Sequence, residues 1–323
     1  MKFIRSFLLR LIAALLLPLS TSSAQANVEY QAKLVAITFD DLPFANASKQ
    51  TQVDAAHANA AIRRTLVHWR VPATGFVTEK SVQALAEVGA PLLRAWLEAG
   101  FDLGNHGATH ADSNILDIDG VSREIVEGEA TIAPLAKAYG RPLTFYRFAY
   151  NHVGDTDQKR SAIEHLLAEH GYRLAASTID TSDYMFDQAY TRAANDHAMR
   201  RRIERAYLDY SRNQIRYYQA LNKQVLGREP PAILLLHLNR LNAAALNQLL
   251  SIFRSEGFQF VSLSDAQADD AYRISPTITT RFGPMWGYRW ARERAVRIDG
   301  SKESEPPEWL QKFAETGVAT GGL

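Results

Sequence analysis

Residues 33 to 41 read Lys-Leu-Val-Ala-Ile-Thr-Phe-Asp-Asp, an apolar and β-rich run that ends in two adjacent carboxylates. A short run of this kind is typical of a buried strand in a parallel sheet. The carboxylates then follow the carboxyl end of the strand, which is the edge where parallel α/β folds carry their active sites. This stretch therefore predicts both the fold class and the position of a functional site.

The same pattern recurs along the chain, with short apolar runs alternating with longer segments of helical periodicity. Such alternation indicates repeated βα units around a parallel sheet or barrel. The predicted strands are Lys33 to Phe39, Ala73 to Val77, Phe101 to Gly104, Thr144 to Arg147, Arg173 to Ser177, Ile233 to Leu236 and Gln259 to Ser262. The predicted helices between them are Val53 to Trp69, Ala90 to Ala99, Val121 to Tyr139, Asp157 to His170 and Asn242 to Glu256.

A long helix is predicted between Ser177 and Ile233, where the alternation is interrupted. Its apolar stripe recurs at steps of four and three: Ile203, Tyr207, Tyr210, Gln214, Tyr217, Leu221 and Val225. The other faces are rich in arginine, which indicates a solvated surface or, alternatively, a contact with an anionic glycan. After Asp265 the aromatic segment from Pro284 to Trp290 predicts a C-terminal strap, with packing across the barrel favoured over a substrate-facing flap. A short helix at Glu308 to Glu315 is expected near the end.

The first 26 residues have the features of a signal peptide, which predicts an exported protein, periplasmic or secreted. The apolar run from Phe7 to Leu19 is shorter than the ~20 residues that span a bilayer, so no stable membrane anchor is expected after cleavage at Ala26. The chain has 36 Lys and Arg against 35 Asp and Glu, a balance that argues against a dedicated nucleic-acid binder. Because the chain has no cysteine, a metal site must use His, Asp or Glu.

Ionisable residues follow the carboxyl ends of five predicted strands. They are Asp40 and Asp41, His106 and His110, Arg147, Asp180 and Asp183, and His237. Separate structural explanations are conceivable for each, such as a helix N-cap for the aspartate pair. One active site at this edge accounts for all of them together.

Two of these groups indicate a metal site. Asp40 and Asp41 would repel each other if both were buried and unpaired, and a cation removes that repulsion. His106 and His110 are four residues apart, so they are expected on one side of a helical turn, where both imidazoles reach one metal. An aspartate then supplies a third ligand, although surface or core histidines remain the alternative.

His237 ends the apolar run Ile233 to Leu236 and is a candidate general acid, with an ordinary strand-end histidine as the alternative. Either Asp180 or Asp183 could orient its imidazole and raise its pKa. Leu235 faces the same side of the strand and could line an apolar pocket. Among the remaining histidines, only His152 is considered for a contact at the rim of the site.

These residues resemble the five ordered motifs of the NodB-homology polysaccharide deacetylases, carbohydrate esterase family 4. Thr38-Phe39-Asp40-Asp41 matches the first motif fully, and Asn105 to His110 keeps both histidines of the second but has Gly107 in place of Ser or Thr. The third keeps Arg147 and Tyr150 but loses both prolines. The fourth, Asp180 to Tyr184, keeps both acids with Tyr184 in place of Trp, and the fifth is Leu235-Leu236-His237.

The resemblance implies an α/β fold, a distorted (β/α) barrel with one divalent metal held by Asp41, His106 and His110. The metal is expected to be Zn²⁺, with Co²⁺ or Ni²⁺ as alternatives. Asp40 is implied as the general base for a metal-bound water, and Arg147 as its ion-pair partner. The oxyanion is expected against the metal and a backbone N–H near Tyr150.

His237 is implied as the acid for the leaving group, assisted by Asp180, which is chosen over Asp183 from its spacing to Tyr184. Tyr150, Leu235, Asp183 and Tyr184 are expected to line the substrate and acetate pocket. The implied activity is removal of N- or O-acetyl groups from a polysaccharide or oligosaccharide, and the departures from the motifs leave the identity of the sugar open.

The predicted organisation is a signal peptide at 1–26, a deacetylase domain at 27–265 with a helical insertion at about 187–229, and a C-terminal extension at 266–323. Two other functions are considered. One is an inactive glycan-binding module on the same scaffold, which would need neither Asp40 nor His237. The other is a metal-dependent phosphoesterase or amidohydrolase, whose sites commonly carry more ligands than three.

Overall fold

The computed structural model describes residues 32–317, so the predicted signal peptide at 1–26 lies outside the described residues. Within them, eight parallel strands form one sheet. The strands are β1 (Lys33–Leu42), β2 (Ala73–Val77), β3 (Asp102–Asn105), β4 (Phe145–Tyr146), β5 (Arg173–Leu174), β6 (Ile179–Asp180), β7 (Ala232–His237) and β8 (Phe258–Val261).

The sheet follows the order β5-β4-β3-β2-β1-β7-β6, and β8 pairs with the first residues of β1. Strand β1 is therefore central, since it pairs with β2, β7 and β8. The ladder ends at β5 on one side and β6 on the other, which leaves the barrel open between them. This arrangement confirms the prediction of a distorted (β/α) barrel.

Helices surround the sheet. They are α1 (Gln52–Trp69), α2 (Glu79–Ala84), α3 (Gly89–Glu98), α4 (Ile118–Glu127), α5 (Ile132–Ala138), α6 (Asp157–Glu169), α7 (Asp183–Arg192), α8 (His197–Leu226), α9 (Arg240–Ser255), α10 (Leu263–Ala266), α11 (Trp286–Glu293) and α12 (Glu308–Thr316). No helix in the described part of the chain is both long enough and apolar enough to cross a membrane.

Several element boundaries differ from the prediction. The single helix expected over Val121 to Tyr139 is two helices, α4 and α5, and Gly128 at the break lies so close to Asn105 that a Cβ would meet its side chain at 2.4 Å. Strand β6 was missed because two residues are too short for an alternating pattern to be recognised. Helices α7 and α11 were also missed.

The long helix α8 confirms the prediction from the apolar stripe. Ile203 and Tyr207 are fully buried, and most of the stripe is buried with them. The charged faces make contacts within the chain, since Arg216 pairs with Glu256 at 2.7 Å and the Arg202 guanidinium lies 4.1 Å from the Trp309 ring centre.

The C-terminal strap packs on the body, as favoured from its composition. Trp286 and Trp290 are both 3 % exposed. The Trp286 backbone N–H donates to the Ser177 carbonyl at 2.8 Å, and Ser177 lies between β5 and β6. The strap therefore covers the open side of the barrel, where the sheet itself has no ladder.

Candidate active site

The parallel register of β1 and β7 places their ionisable side chains at the same edge of the sheet. Thr38 pairs with Leu235, and Asp40 pairs with His237. Because alternate residues of a strand face the same side, Thr38 and Asp40 share one face of β1, and Leu235 and His237 share one face of β7. The site is built outward from this pair of strands.

Asp41, His106 and His110 form a cluster whose ligand atoms all lie within 4.8 Å of one another. The Asp41 Oδ1 atom is 3.7 Å from His106 Nε2 and 3.5 Å from His110 Nε2. Ligands at ~2.1 Å from a tetrahedral zinc ion are about 3.4 Å apart, so these separations suit one such ion. It is the one cluster of three or more such side chains among the described residues that could hold a metal.

The expectation that His106 and His110 share a helical turn is wrong. Residues 106–110 form an irregular loop in which Gly107 and His110 have positive φ angles of 88° and 62°. The loop is held from outside, because the Glu124 carboxylate of α4 accepts from the Thr109 N–H at 2.9 Å and from its hydroxyl at 2.6 Å. The two imidazoles therefore converge through loop geometry and not through helical spacing.

The contacts of both histidines suit metal binding. His106 Nδ1 lies 2.7 Å from the Arg147 carbonyl oxygen, and a carbonyl only accepts, so Nδ1 donates this bond and Nε2 is the ring atom left to bind a metal. Burial, together with the nearby His106, lowers the pKa of His110. A neutral imidazole is the form that binds a metal.

Asp40 is 3 % exposed and is held by Arg147, whose Nη1 donates to its Oδ1 at 2.8 Å. The same nitrogen donates to the Thr38 hydroxyl at 2.7 Å, and Nη2 donates to the Ala176 carbonyl at 2.8 Å. Burial alone would raise the pKa of Asp40, but the Arg147 charge lowers it, with further lowering from His106, from His237 and, least, from the Arg147 hydrogen bond. Asp40 is therefore an ionised carboxylate whose second oxygen is 3.9 Å from His106 Nε2.

The partner of His237 is Asp183, so the choice of Asp180 was wrong. Asp183 Oδ1 lies 2.8 Å from His237 Nδ1, and its Oδ2 accepts from the His237 backbone N–H at 2.8 Å. Asp183 is the first residue of α7 and is fully buried, whereas the Asp180 carboxylate accepts from the Ser182 N–H. The left-handed backbone of Ser182, with φ 48°, turns the chain so that the later aspartate faces the histidine.

The pKa values of His237 and Asp180 are both raised, but for different reasons. Burial would lower the pKa of His237, but the Asp183 carboxylate and its hydrogen bond raise it to about 10. Burial raises the pKa of Asp180 to about 6, and the neighbouring Asp183 adds to the increase. His237 therefore carries a proton at neutral pH that it can donate from Nε2.

Asp183 is held by two residues that the sequence analysis missed. Asn239 donates to its Oδ2 at 3.0 Å, and Asn242 donates to the same oxygen. Asn242 also accepts from the Tyr207 hydroxyl at 2.9 Å, which links the pair to α8. Asn239 is the N-cap of α9, and its position two residues after His237 is the signal that could have indicated it.

Exposed aromatic side chains flank the site. Tyr150 is 59 % exposed with its ring centre 4.9 Å from that of His110, and Tyr184 is 52 % exposed with its ring centre 6.1 Å from that of His237. Leu235, 7 % exposed, lies on β7 two residues before His237. His152 is paired with Asp112 at 2.7 Å and lies 5.7 Å from the Tyr150 ring centre, at the rim.

Residues 27–175 match the family model of polysaccharide deacetylases, in agreement with the resemblance stated from the motifs. The matched region includes Asp40, Asp41, His106, His110, Arg147 and Tyr150. Asp183 and His237 lie beyond it. None of the curated proteins compared with the chain matches it.

Several solved structures are similar to this chain. A mutant of BA3943, a CE4 family pseudoenzyme with restored enzymatic activity, is 16% identical with a TM-score of 0.50, over 73% of this chain and 68% of that one. Wild-type BA3943, a pseudoenzyme from Bacillus anthracis, is 14% identical with a TM-score of 0.50, over 73% and 66%. The peptidoglycan deacetylase PdaC from Bacillus subtilis is 20% identical with a TM-score of 0.47, over 74% and 91%.

Proposed function

Because residues 27–175 match the polysaccharide deacetylase family, we propose that the chain hydrolyses acetyl groups on an acetylated polysaccharide or oligosaccharide with one divalent metal ion. One observation carries the proposal. Asp40 and His237 lie in register on neighbouring strands, each paired with a buried partner of opposite charge, beside the cluster of Asp41, His106 and His110. A base, an acid and a metal site thus meet at one edge of the sheet.

Asp41, His106 and His110 would hold the ion, for which Zn²⁺ is the first choice from the ligand set of two imidazoles and one carboxylate. Such an ion polarises the acetyl carbonyl and lowers the pKa of the attacking water. The remaining steps use side chains of this protein.

Asp40 takes the proton of the attacking water. Its Oδ1 is engaged by Arg147, which leaves Oδ2 directed toward the His106 side of the site as the base. The guanidinium of Arg147 is itself fixed by its hydrogen bonds to the Thr38 hydroxyl and the Ala176 carbonyl. The Asp40 carboxylate is therefore held in one orientation. Fixed groups of this kind lose little freedom when the reaction occurs.

His237 gives a proton to the leaving amine or alkoxide. Its Nδ1–H is bound to Asp183, so the transferable proton is on Nε2. The proton bonded to Nδ1 fixes the ring orientation, and Asp183 stabilises the cation before transfer. Leu235 offers an apolar surface for the acetyl methyl group, and the Tyr150 backbone N–H stabilises the oxyanion.

A sugar chain would lie between Tyr150 and Tyr184, because aromatic side chains exposed on both sides of the site offer flat apolar surfaces. If residues 1–26 direct export, as the sequence predicts, the substrate is a glycan of the cell envelope or the surroundings of the cell. The third and fourth motifs, which depart from the family pattern, are the ones that contain Tyr150 and Tyr184.

The test is acetate release from a panel of N- and O-acetylated glycans by the protein loaded with zinc, beside Asp40→Asn. The wild type is expected to release acetate from at least one glycan, and Asp40→Asn is expected to keep one zinc ion per chain and lose at least about 100-fold in kcat. Release that survives in Asp40→Asn would exclude Asp40 as the base. Glycan binding without release in the wild type would favour an inactive binding module.

A further inference from the structure

The turn that carries Tyr150 has an unfavourable backbone. Tyr150 and Asn151 have positive φ angles of 59° and 54° in succession, a conformation that residues other than glycine adopt at a cost. Within the turn, Asn151 N–H donates to the Phe148 carbonyl and His152 N–H to the Ala149 carbonyl, each at 3.1 Å. Two local bonds are a weak constraint for two strained residues, so the surroundings must hold the turn.

The C-terminal strap supplies that support through Arg289 of α11. Its Nη2 donates to the Asn151 carbonyl at 2.7 Å, and its Nε donates to the Pro284 carbonyl at 3.0 Å. One planar guanidinium therefore joins the turn to the strap in a fixed geometry. Ser177 also links the strap to the turn. Its carbonyl accepts from the Trp286 N–H, and its hydroxyl donates to the Asn151 side-chain oxygen at 3.2 Å.

Gly283 makes the second contact. A Cβ at this position would lie 1.6 Å from the Tyr150 carbonyl oxygen, so the strap backbone rests directly on the turn. The φ angle of Gly283 is not positive, so its backbone conformation would allow other residues. The contact with Tyr150 is what excludes a side chain at this position. Glycine is thus required for the close approach of strap and turn.

Arg289 is a costly choice for packing alone. Arg289 is 1 % exposed, and its Nη1 has no hydrogen-bond partner. Within residues 32–317, no carboxylate forms an ion pair with its guanidinium. A buried cation without a counter-charge is expensive, and an apolar side chain of similar length would fill the same space. Groups that break a packing rule in this way mark functional positions more often than ordinary core positions.

We propose that Arg289, together with Gly283, is a positioning device that fixes the Tyr150 turn for catalysis. The proposal rests on the proposed function, in which the Tyr150 N–H faces the oxyanion. Both residues lie outside the region that matches the deacetylase family, so the C-terminal strap of this chain supports a turn of the active site from outside that region. Arg289 acts through the turn and does not itself touch the reacting atoms.

The experiment uses the whole zinc-loaded protein and two independent variants, Arg289→Met and Gly283→Ala. Matched controls are Arg294→Met, an exposed arginine just after α11, and Gly300→Ala, a glycine of the same region with no atom within 4 Å of its Cβ position. The measurements are kcat and KM for acetate release, zinc affinity, and hydrogen exchange of amides 148–153. Arg289→Lys tests rescue, since a lysine can reach one carbonyl but lacks the fork.

Both variants are expected to lower kcat about 10- to 100-fold, with KM and zinc affinity within about twofold of wild type, because only oxyanion stabilisation is disturbed. Exchange at 148–153 is expected to become at least tenfold faster, Arg289→Lys to recover part of kcat, and both controls to behave as wild type. Unchanged kcat and unchanged hydrogen exchange in both variants would overturn the proposal. A loss of zinc affinity as large as the loss of kcat would overturn it too.

A wild-type protein that releases no acetate would overturn the proposed function. Exchange then decides this inference alone: faster exchange at 148–153 in both variants supports the device, and unchanged exchange overturns it.

Discussion

The identity of the aspartate beside His237 determines which residue tunes the acid. Asp183 accepts from both the ring and the backbone of His237, whereas Asp180 accepts from Ser182. The spacing to Tyr184 favoured Asp180 because motif spacing carries no information about the direction of a turn. The left-handed Ser182 decides the matter, and a positive φ at a serine cannot be foreseen from its type.

Asp183→Asn is expected to lower kcat about 100- to 10,000-fold, because the amide can no longer stabilise the protonated imidazole. Asp180→Asn is the matched control, with an expected loss of less than about tenfold. Steady-state acetate release checks both, with metal content measured in parallel. The assignment of Asp183 would be wrong if Asp180→Asn showed the larger loss.

The same pair makes stability depend on pH. Asp183 raises the pKa of His237 from its ordinary 6.5 to about 10. A raised pKa in the folded state stabilises the fold below pH 6.5, and this contribution is lost as the pH rises from 6.5 toward 10. The metal-free wild type should therefore exceed Asp183→Asn in unfolding free energy most at pH 6, and by less at pH 10.

Urea unfolding of both proteins in the presence of a chelator measures this difference. The trend is the decisive quantity, since Asp40, whose pKa is lowered from its ordinary value, stays ionised from pH 6 to pH 10 in the wild type. A difference that is constant from pH 6 to pH 10 would show that Asp183 does not control the protonation of His237.

At the level of elements, the loop between β3 and α4 shows how a metal site is built without regular structure. Asn105 at the end of β3 accepts from the Gly107 N–H at 2.8 Å, and Glu124 of α4 accepts twice from Thr109. These bonds lie between the two histidine ligands in sequence. The loop is therefore fixed at both ends by side chains that contact no metal.

Glu124→Ala is expected to weaken zinc binding about 10- to 100-fold, because outer residues that orient ligands have effects of this size. Glu127→Ala is the control, since Glu127 is an exposed residue of the same helix. A competition titration with a zinc-binding dye gives the affinities. Equal affinities in Glu124→Ala and wild type would mean that the loop keeps its conformation without this anchor.

The sequence predicts elements better than it predicts loops. Apolar runs located seven of the eight strands to within a few residues, because burial on both faces leaves a strong signal in composition. The conformation at 106–110 was wrong, since the spacing of two histidines fits a helix and a loop equally well. Asn239, Asn242 and Glu124 were missed because their roles depend on neighbours distant in sequence.

At the scale of the whole molecule, segments far apart in sequence converge on one edge of the sheet. Helix α8 reaches Asp183 through Tyr207 and Asn242, and the strap reaches Tyr150 through Arg289. The alternation of strands and helices predicted a parallel sheet or barrel, but these cross-connections follow from packing. The candidate site is consequently sensitive to regions that carry none of its motifs.

Zinc should therefore stabilise the whole fold, because Asp41 comes from β1 while His106 and His110 come from the loop after β3. At a free zinc concentration 100 times the Kd, binding contributes about 2.7 kcal/mol. For a chain of this size that corresponds to a rise of roughly 4 to 5 °C in Tm. Calorimetry with and without zinc measures the shift, and Asp41→Ala should abolish it while keeping the fold. A shift of equal size in Asp41→Ala would place the stabilising ion somewhere else, because that variant lacks one of the three proposed ligands.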